Sequence, residues 1–270
     1  GAQPPLVLTG RVGAVTTIAI NRPEKRNCVN AATAAQLAAA LRRFETDDSS
    51  PVAVLHGKGG NFCAGYDLAE VAARAPGDPP PPAAPMGPSR MLCSKPVVAA
   101  VDGYAVAGGL ELALWCDLRV VEETAVLGVF CRRFGVPLLD GGSVRLPALI
   151  GLSRALDMLL TGRAVSGTEA FQWGLANRVV ACGTALGQAV NLATSVAKFP
   201  AACLAADRRS AYHAAFDARS LEEALQFEHE HGLPVLDLEA RQGAQRFVDG
   251  VGRHGKFTIH PEKMDEWKKR

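Results

Sequence analysis

The spacing of apolar and polar positions changes along the chain, and it predicts strands alternating with helices. Short apolar runs at residues 6–8, 15–20 and 52–56 are bounded by glycine, asparagine or proline, as β-strands commonly are. Residues 29–44 instead carry alanine and leucine at helical spacing, and Asn30 stands where a capping side chain is expected. This alternation predicts an α/β core in the first two-thirds of the chain.

The last third of the chain has helical spacing almost throughout. Pro200 and Pro234 are expected to mark breaks between helices, because proline lacks the N–H group that a helix interior uses. The predicted helices are residues 154–160, 167–174, 185–199, 201–216, 221–231 and 236–250.

Composition and charge exclude several classes of protein. The 270 residues are 48% hydrophobic and 21% charged, which suits a folded chain with a sizeable core. The 29 basic and 27 acidic residues leave a net charge of +2, too balanced for a general affinity for nucleic acid. No apolar run is long enough to span a bilayer, and the first residues lack the pattern of a secretion signal, so we expect no membrane association.

Seven cysteines are scattered along the chain without close pairs or companion histidines. An odd count at irregular spacing is typical of reduced thiols. We therefore expect an intracellular, reducing compartment, the cytoplasm or the mitochondrial matrix. The cysteine and histidine spacing fits no zinc site, so no metal is expected.

Residues 103–117, GYAVAGGLELALWCD, combine a glycine pair with an apolar helical run that carries a single acid, Glu111. Glycine lets the backbone come close to a ligand, and the first N–H groups of a helix have no partner within it. Such donors favour negative charge, on a bound anion or on an oxygen that becomes charged during a reaction. Two interpretations are open: a packing helix with Glu111 as a surface acid, or a buried base beside an oxyanion site.

A second glycine turn follows the predicted strand at residues 52–56. Residues 61–68, NFCAGYDL, again place a glycine turn between a strand and the start of a helix. Two such turns could together hold one developing oxyanion.

Several motifs in a fixed order make the chain resemble the crotonase (enoyl-CoA hydratase/isomerase) superfamily. They are FCAGYDL at 62–68, KPVVAAVDGYAVAGGLELALWCD at 95–117, RLP at 145–147, LLTG at 159–162 and AFQWGLANRV at 170–179. The resemblance covers most of the chain and is weakest after about residue 198. It implies a ββα spiral core over residues 1–198 that holds an acyl-CoA site. A helical C-terminal region over residues 199–270 would then join subunits into a homotrimer or hexamer.

The resemblance also assigns roles to individual residues. It implies that the backbone N–H groups of Tyr66 and Gly108 form the oxyanion hole for a coenzyme A thioester and that Glu111 is a catalytic base. The substrate-binding positions that it implies are Arg26, Ala64, Gly65, Asp67 and Cys131. No cofactor is implied, because coenzyme A enters as part of the substrate.

The second glutamate of the family's hydratases is missing from this sequence. Counted without a gap from Arg145, its place falls on Cys131, and a protonated thiol is a poor substitute for a carboxylic acid. Asp140 is the nearest acid downstream, one residue after the position, Leu139, where some family members carry an aspartate. Asp140 is therefore either a second catalytic acid or the N-cap of the following helix, which its Asp-Gly-Gly-Ser context suits.

These residues favour an enoyl-CoA hydratase-like activity, either hydration or double-bond isomerisation, through a stabilised thioester enolate. An acyl-CoA hydrolase or decarboxylase would share that intermediate. A catalytically decayed protein that binds a protein or RNA partner is an alternative of another class. The near-neutral charge argues against RNA, and retention of Glu111 argues against decay.

Two further segments have open interpretations. The proline-rich residues 73–90 are either a lid over the acyl pocket or a plain surface loop. Lys256 lies in a basic end that is either a solvated tail or a contact for a coenzyme A phosphate.

Overall fold

The computed structural model describes residues 4–79 and 81–252 of the chain. The chain divides into two compact units, residues 1–198 and 199–270. Within the described residues, all strands belong to the first unit and the second unit is helical. Lys256 lies outside the described residues.

Nine strands in the described residues form two sheets. In chain order they are β1 (Val7–Val12), β2 (Val15–Ile20), β3 (Val52–Gly57), β4 (Val97–Val101), β5 (Tyr104–Val106), β6 (Leu118–Glu122), β7 (Val126–Gly128), β8 (Val165–Ser166) and β9 (Arg178–Val180). The larger sheet has the order β1-β2-β3-β4-β6-β9, with β1 and β2 antiparallel and all other neighbours parallel. The smaller sheet has the order β5-β7-β8.

Ten α-helices in the described residues complete the fold. They are α1 (Ala31–Glu45), α2 (Leu68–Ala72), α3 (Gly108–Trp115), α4 (Gly142–Ile150), α5 (Leu152–Thr161), α6 (Gly167–Gln172), α7 (Ala185–Val196), α8 (Ala201–Phe216), α9 (Leu221–Val235) and α10 (Arg241–Val248). Short 3-10 helices span Pro23–Lys25 and Phe130–Phe134, and a π-helical segment spans Leu236–Ala240. The α/β class expected from the sequence is confirmed.

The larger sheet is covered on both faces, which explains why its central strands are almost wholly apolar. On one face, Leu55 of β3 belongs to a core that includes Leu37 of α1. On the other face, Val54 belongs to a second core with Ala189 and Ala193 of α7. The small side chains of these two alanines, four residues apart, let α7 lie close to the sheet.

Helix α1 begins as the sequence predicts. The side chain of Asn30 accepts a hydrogen bond from the backbone N–H of Thr33 at 2.9 Å, which satisfies one of the free donors of the first turn. The expected cap at Asn30 is therefore confirmed.

Two predicted boundaries are wrong. Strand β1 continues to Val12, because the positive φ that the turn needs falls at Gly13 (φ 57°), while Gly10 pairs with Thr17 inside the sheet. The predicted break at Pro234 is also displaced, since α9 continues to Val235. The π-helical segment follows directly, and such wider turns accommodate a backbone that has lost a hydrogen bond.

In residues 4–79 and 81–252, no single helix is long and apolar enough to cross a membrane. Helices α7 and α8 pass that test only as a pair, and only by length and composition. All seven cysteines are free thiols.

Candidate active site

The segments that carry the two glycine turns leave β3 and β4, which are parallel neighbours, at the same edge of the larger sheet, and the second segment first forms β5. Beyond that edge the two segments stay paired. The N–H of Cys63 donates to the carbonyl of Tyr104 at 2.9 Å, and the N–H of Val106 donates back to the carbonyl of Cys63 at 3.1 Å. This pairing brings Tyr66, three residues after Cys63, towards the start of α3.

Glycine is required at two positions where the segments meet. A Cβ on Gly109 would lie 2.0 Å from the carbonyl oxygen of Cys63, closer than any real contact. Gly65 has a φ of 100°, and a Cβ there would lie 3.1 Å from the backbone nitrogen of Gly108. The glycines therefore keep the backbone groups of the two turns close together.

Tyr66 and Gly108 each present a backbone donor at this meeting point. Both residues line a cavity, and among the described residues neither backbone N–H has a hydrogen-bond partner. Gly108 is the first residue of α3, so its N–H has no acceptor within the helix. The preceding residue, Ala107, holds the turn with φ 54° and ψ −126°, a conformation that is costly for a residue with a Cβ.

The cavity has a volume of about 710 Å³ and is enclosed mainly by apolar side chains. Its walls come from α2, the proline-rich residues 73–90, the start of α3 and residues 130–140. Of the residues expected at the site, five line this cavity: Tyr66, Gly108, Glu111, Cys131 and Asp140. The proline-rich segment is thus a wall of the cavity and more than a plain surface loop.

Glu111 lies in the first turn of α3 and is only 3% exposed, so its interpretation as a surface acid is wrong. Its Oε1 accepts hydrogen bonds from the backbone N–H groups of Asp140 at 2.9 Å and Gly142 at 2.8 Å. Burial raises the pKa of Glu111 to about 7, and the nearby Asp140 carboxylate adds to the rise, although the two N–H donors oppose it. A carboxyl with this pKa can accept or give a proton near neutral pH.

Asp140 does not cap α4. The residue before that helix is Gly141, and no side chain caps it. The Asp140 carboxylate, 3% exposed, points elsewhere: its Oδ1 accepts from the N–H of Met86 at 3.1 Å and from the hydroxyl of Ser89. The expected cap is therefore wrong, because the Asp140 carboxylate satisfies two buried donors of the proline-rich segment instead, and the N–H of Gly142 in the first turn of α4 donates to Glu111.

Cys131 lies in the 3-10 helix Phe130–Phe134 and is 8% exposed. Burial raises the pKa of its thiol, and the negative charge of Glu111 raises it further, so the group is a neutral thiol near pH 7. The neighbouring Arg132 and Arg133 donate to the carbonyl oxygens of Leu159 and Gly162. The residue expected in place of a second catalytic glutamate is thus a neutral thiol.

Four expected substrate contacts lie outside the cavity lining. Asp67 caps α2 by accepting from the N–H of Ala69 at 3.1 Å, and it forms an ion pair with Arg22 at 3.0 Å. Arg26 is exposed, with its guanidinium 5.1 Å from the centre of the Tyr104 ring. Ala64 and Gly65 belong to the turn itself, where they set the direction of the next N–H group. Their roles as substrate contacts stay predictions.

Sequence reasoning missed Met86 and Ser89. Both are buried, and Met86 lines the cavity, yet they lie in a segment whose composition predicts only an extended chain. The alanine, glycine and proline around them carry no periodicity that would have identified buried positions. Within the described residues, no group of three or more potential ligands could hold a metal ion.

The arrangement can move a proton while it stabilises a negative oxygen. Glu111 follows Gly108 by one helical turn, so a base and a backbone donor of the same helix face one cavity, with the Tyr66 donor beside them. Buried donors aimed at an oxygen that becomes charged are an effective form of catalysis, and a base nearby completes the site. Fold and site therefore have the features of an enzyme active site, with a buried acid–base group beside two backbone donors.

Comparison with known proteins gives the family. Residues 10–253 match the model of the enoyl-CoA hydratase/isomerase family. The enoyl-CoA hydratase EchA19 of Mycobacterium tuberculosis is 32% identical over 253 residues, which are 91% of this chain and 94% of that protein. The mevalonyl-coenzyme A hydratase sidH of Aspergillus fumigatus is 36% identical over 187 residues, 68% of this chain and 69% of that protein.

Comparison with solved structures leads to the same family. An enoyl-CoA hydratase from Mycobacterium tuberculosis superposes with a TM-score of 0.85 at 33% identity, covering 91% of this chain and 96% of that one. The chain belongs to the enoyl-CoA hydratase/isomerase family, and its function is of the acyl-CoA hydratase or isomerase type. The resemblance stated from the motifs is confirmed.

Proposed function

We propose that the protein transfers protons at the α-carbon of an acyl-CoA thioester. Glu111 is the base, and the N–H groups of Tyr66 and Gly108 bind the thioester oxygen as negative charge develops on it. One observation carries this proposal: the buried Glu111 carboxyl faces the same cavity as two backbone donors that have no partner among the described residues. Each such donor contributes about 3 kcal/mol to transition-state stabilisation in comparable sites.

With Glu111 as the base and no carboxylate at position 131, double-bond isomerisation is favoured over hydration, because the Asp140 carboxylate is engaged by Met86 and Ser89. In isomerisation, one base removes a proton from the α-carbon of a 3-enoyl thioester and returns it at the γ-carbon, so one group is sufficient. Hydration additionally needs a water molecule to be held and activated, and Cys131 supplies no second carboxylate for that task. We expect hydration of an enoyl thioester to proceed, but slowly.

The test compares isomerisation of 3-hexenoyl-CoA and hydration of crotonyl-CoA by the wild type and Glu111→Gln. The variant should lose roughly two orders of magnitude or more in kcat with little change in KM, because it keeps the shape of the side chain and removes the base. Glu123→Gln, the same chemical change at an exposed position, is the matched control.

The pH profile gives a second readout. Since the base must be deprotonated, kcat/KM of the wild type should rise with pH through a midpoint near the Glu111 pKa of about 7. Wild-type turnover in the Glu111→Gln variant, or no turnover of either substrate by the wild type, would contradict the proposed function.

We further propose a homotrimer or hexamer in a reducing compartment. Large apolar side chains exposed on α5, Leu152 and Leu160, support an assembly that covers them, and seven free thiols support the compartment. Light scattering should give three or six times the mass of one chain, and a monomer would contradict the assembly.

A further inference from the structure

A buried polar cluster joins the catalytic carboxyl to the wall of the cavity. Its centre is Asp140, whose backbone N–H donates to Oε1 of Glu111 at 2.9 Å while its side chain faces the opposite way. There it binds residues 84–91, the end of the proline-rich segment and the one residue after it, which we call the strap. One residue therefore contacts the base with its backbone and the cavity wall with its carboxylate.

The Asp140 carboxylate holds the strap at two points with a single atom. Oδ1 accepts from the N–H of Met86 at 3.1 Å and from the hydroxyl of Ser89, and both strap residues are buried. Arg145 adds a second link between Asp140 and the strap. Its Nη1 donates to the carbonyl of Asp140 at 2.9 Å, and its Nη2 donates to the carbonyl of Ser89 at 2.8 Å. Removing the carboxylate would leave two buried donors unsatisfied.

The strap in turn packs Met86 against the turn at Gly108 where α3 begins. A Cβ on Gly108 would lie 2.6 Å from the Met86 sulfur, so this side chain contacts the start of α3. The strap has little freedom to shift, because a Cβ on Gly87 would lie 2.5 Å from the carbonyl of Ala34 in α1. Its far end is bound by the indole N–H of Trp115, which donates to the carbonyl of Met91 at 2.9 Å.

We propose that Asp140 is a positioning residue, whose carboxylate holds Met86 of the strap against Gly108 and whose backbone N–H orients Glu111. The proposal rests on the proposed function of this site. This role differs from that of a second catalytic acid, because Asp140 acts here as a hydrogen-bond acceptor through Oδ1 and transfers no proton. Asparagine offers the same acceptor, whereas alanine offers none. Oδ2 has no hydrogen-bond partner among the described residues, so an amide nitrogen placed there breaks no protein hydrogen bond.

The experiment compares Asp140→Asn and Asp140→Ala by two measurements, hydrogen exchange of the strap amides and isomerisation of 3-hexenoyl-CoA. We expect Asp140→Ala to exchange its strap amides faster and to lose about tenfold or more in kcat/KM, since small misplacements of a site are costly. Asp140→Asn should keep wild-type exchange and stay within about threefold of the wild-type rate. Ser89→Ala, which removes one of the two donors, should give intermediate exchange.

Several outcomes would overturn the proposal. If Asp140→Asn is as slow as Asp140→Ala while its strap amides stay protected, the carboxylate takes part in the chemistry. If Asp140→Ala keeps wild-type exchange, Asp140 does not hold the strap. If circular dichroism shows that Asp140→Ala does not fold, Ser89→Ala takes its place. Unchanged exchange of the strap amides in Ser89→Ala would then show that Asp140 does not hold the strap. A wild type without acyl-CoA turnover but with the expected exchange pattern counts against the proposed function and not against the contact between Asp140 and the strap.

Discussion

A buried carboxyl such as Glu111 weakens the fold when it is charged. The pKa of Glu111 is about 7 in the folded protein, above its ordinary value of 4.5. The folded state therefore binds more protons than the unfolded state between these two values, and stability falls as pH rises through that window. Above pH 7 the Glu111 carboxyl is charged in both states, so the whole destabilisation from burying its charge is present.

Glu111→Gln should consequently stabilise the protein at pH 8 and have little effect at pH 4.5. Glutamine keeps an acceptor for the N–H groups of Asp140 and Gly142 but carries no charge, and we expect a gain of about 2–3 kcal/mol at pH 8. Denaturant unfolding at both pH values checks this, with Glu123→Gln as control. An equal effect at both pH values would show that burial of the charge is not the cause.

Cys131 offers a way to restore the missing acid. Cys131→Glu would place a second carboxyl close to Glu111, and the like charge would raise the pKa of one of the two into the range of a general acid. We expect faster hydration of crotonyl-CoA, provided that the cavity accepts the extra volume.

The matched control for this change is Cys131→Gln, which adds nearly the same volume without an acid. Hydration should increase in the glutamate variant alone, measured as loss of crotonyl-CoA absorbance after a fold check by circular dichroism. Equal rates in both variants, or a wild type already as fast as the glutamate variant, would show that another group supplies the second function.

Single residues show where prediction from sequence ends. The position of Glu111 beside a glycine pair was readable, but its burial depends on backbone groups 29 and 31 residues away in the chain. Asp140 had a convincing local context for a helix cap, and its actual partners lie more than 50 residues before it. Local patterns identify candidate chemistry, whereas partners distant in sequence decide what each group does.

At the scale of elements, the turn into α3 stores conformational strain. Ala107 adopts φ 54° and ψ −126°, which costs an alanine about 1–3 kcal/mol. Ala107→Gly should remove this strain energy. The net gain in stability should be smaller by about 1 kcal/mol, because glycine has greater conformational freedom in the unfolded chain. We expect equal or greater stability in denaturant unfolding, with activity retained.

The contrasting variant is Gly109→Ala, two residues further on. Its Cβ would lie 2.0 Å from the Cys63 carbonyl, so the pairing of the two turns must break, and we expect strong destabilisation. If both variants were tolerated alike, the close approach of the turns would not be needed for the fold.

Elements with local signals were predictable and the others were not. Helix α1 has its own cap, and α8 coincides with the residues predicted for it, since Pro200 stands immediately before it. Helix α9 passes through Pro234 despite the proline, because the π-helical turn that follows accommodates the misfit. The strap has no regular spacing at all, so only the folded structure shows that it is buried.

For the whole molecule, binding of the right ligand should appear as added stability. Acetoacetyl-CoA resembles the enolate that the site is proposed to stabilise, and at about a hundred times its Kd it should stabilise the folded state by about 2.7 kcal/mol. Free acetoacetate at the same concentration should have almost no effect, because it lacks the thioester and the coenzyme A portion. Thermal unfolding with each compound checks this, and equal shifts would contradict specificity for coenzyme A thioesters.

The fold as a whole followed from the order of several weak motifs more than from any strong one. Alternating strands and helices gave the α/β class, and the motifs between residues 62 and 179 gave the family. The proposed assembly and the choice of acyl group depend on surfaces and cavity walls, and residues such as Leu152 or Met86 carry no signature of either in a single sequence.

The donors at Tyr66 and Gly108 are main-chain atoms, and a point mutation exchanges only side chains. Substitutions can therefore change Cys131 or even Glu111 while the proposed binding site for the thioester oxygen persists, as long as the glycines that shape the turns remain. A lineage built on this architecture can change its reaction one substitution at a time without first losing hold of its substrate. A new reaction can evolve more readily when the backbone groups that bind the substrate are already in place.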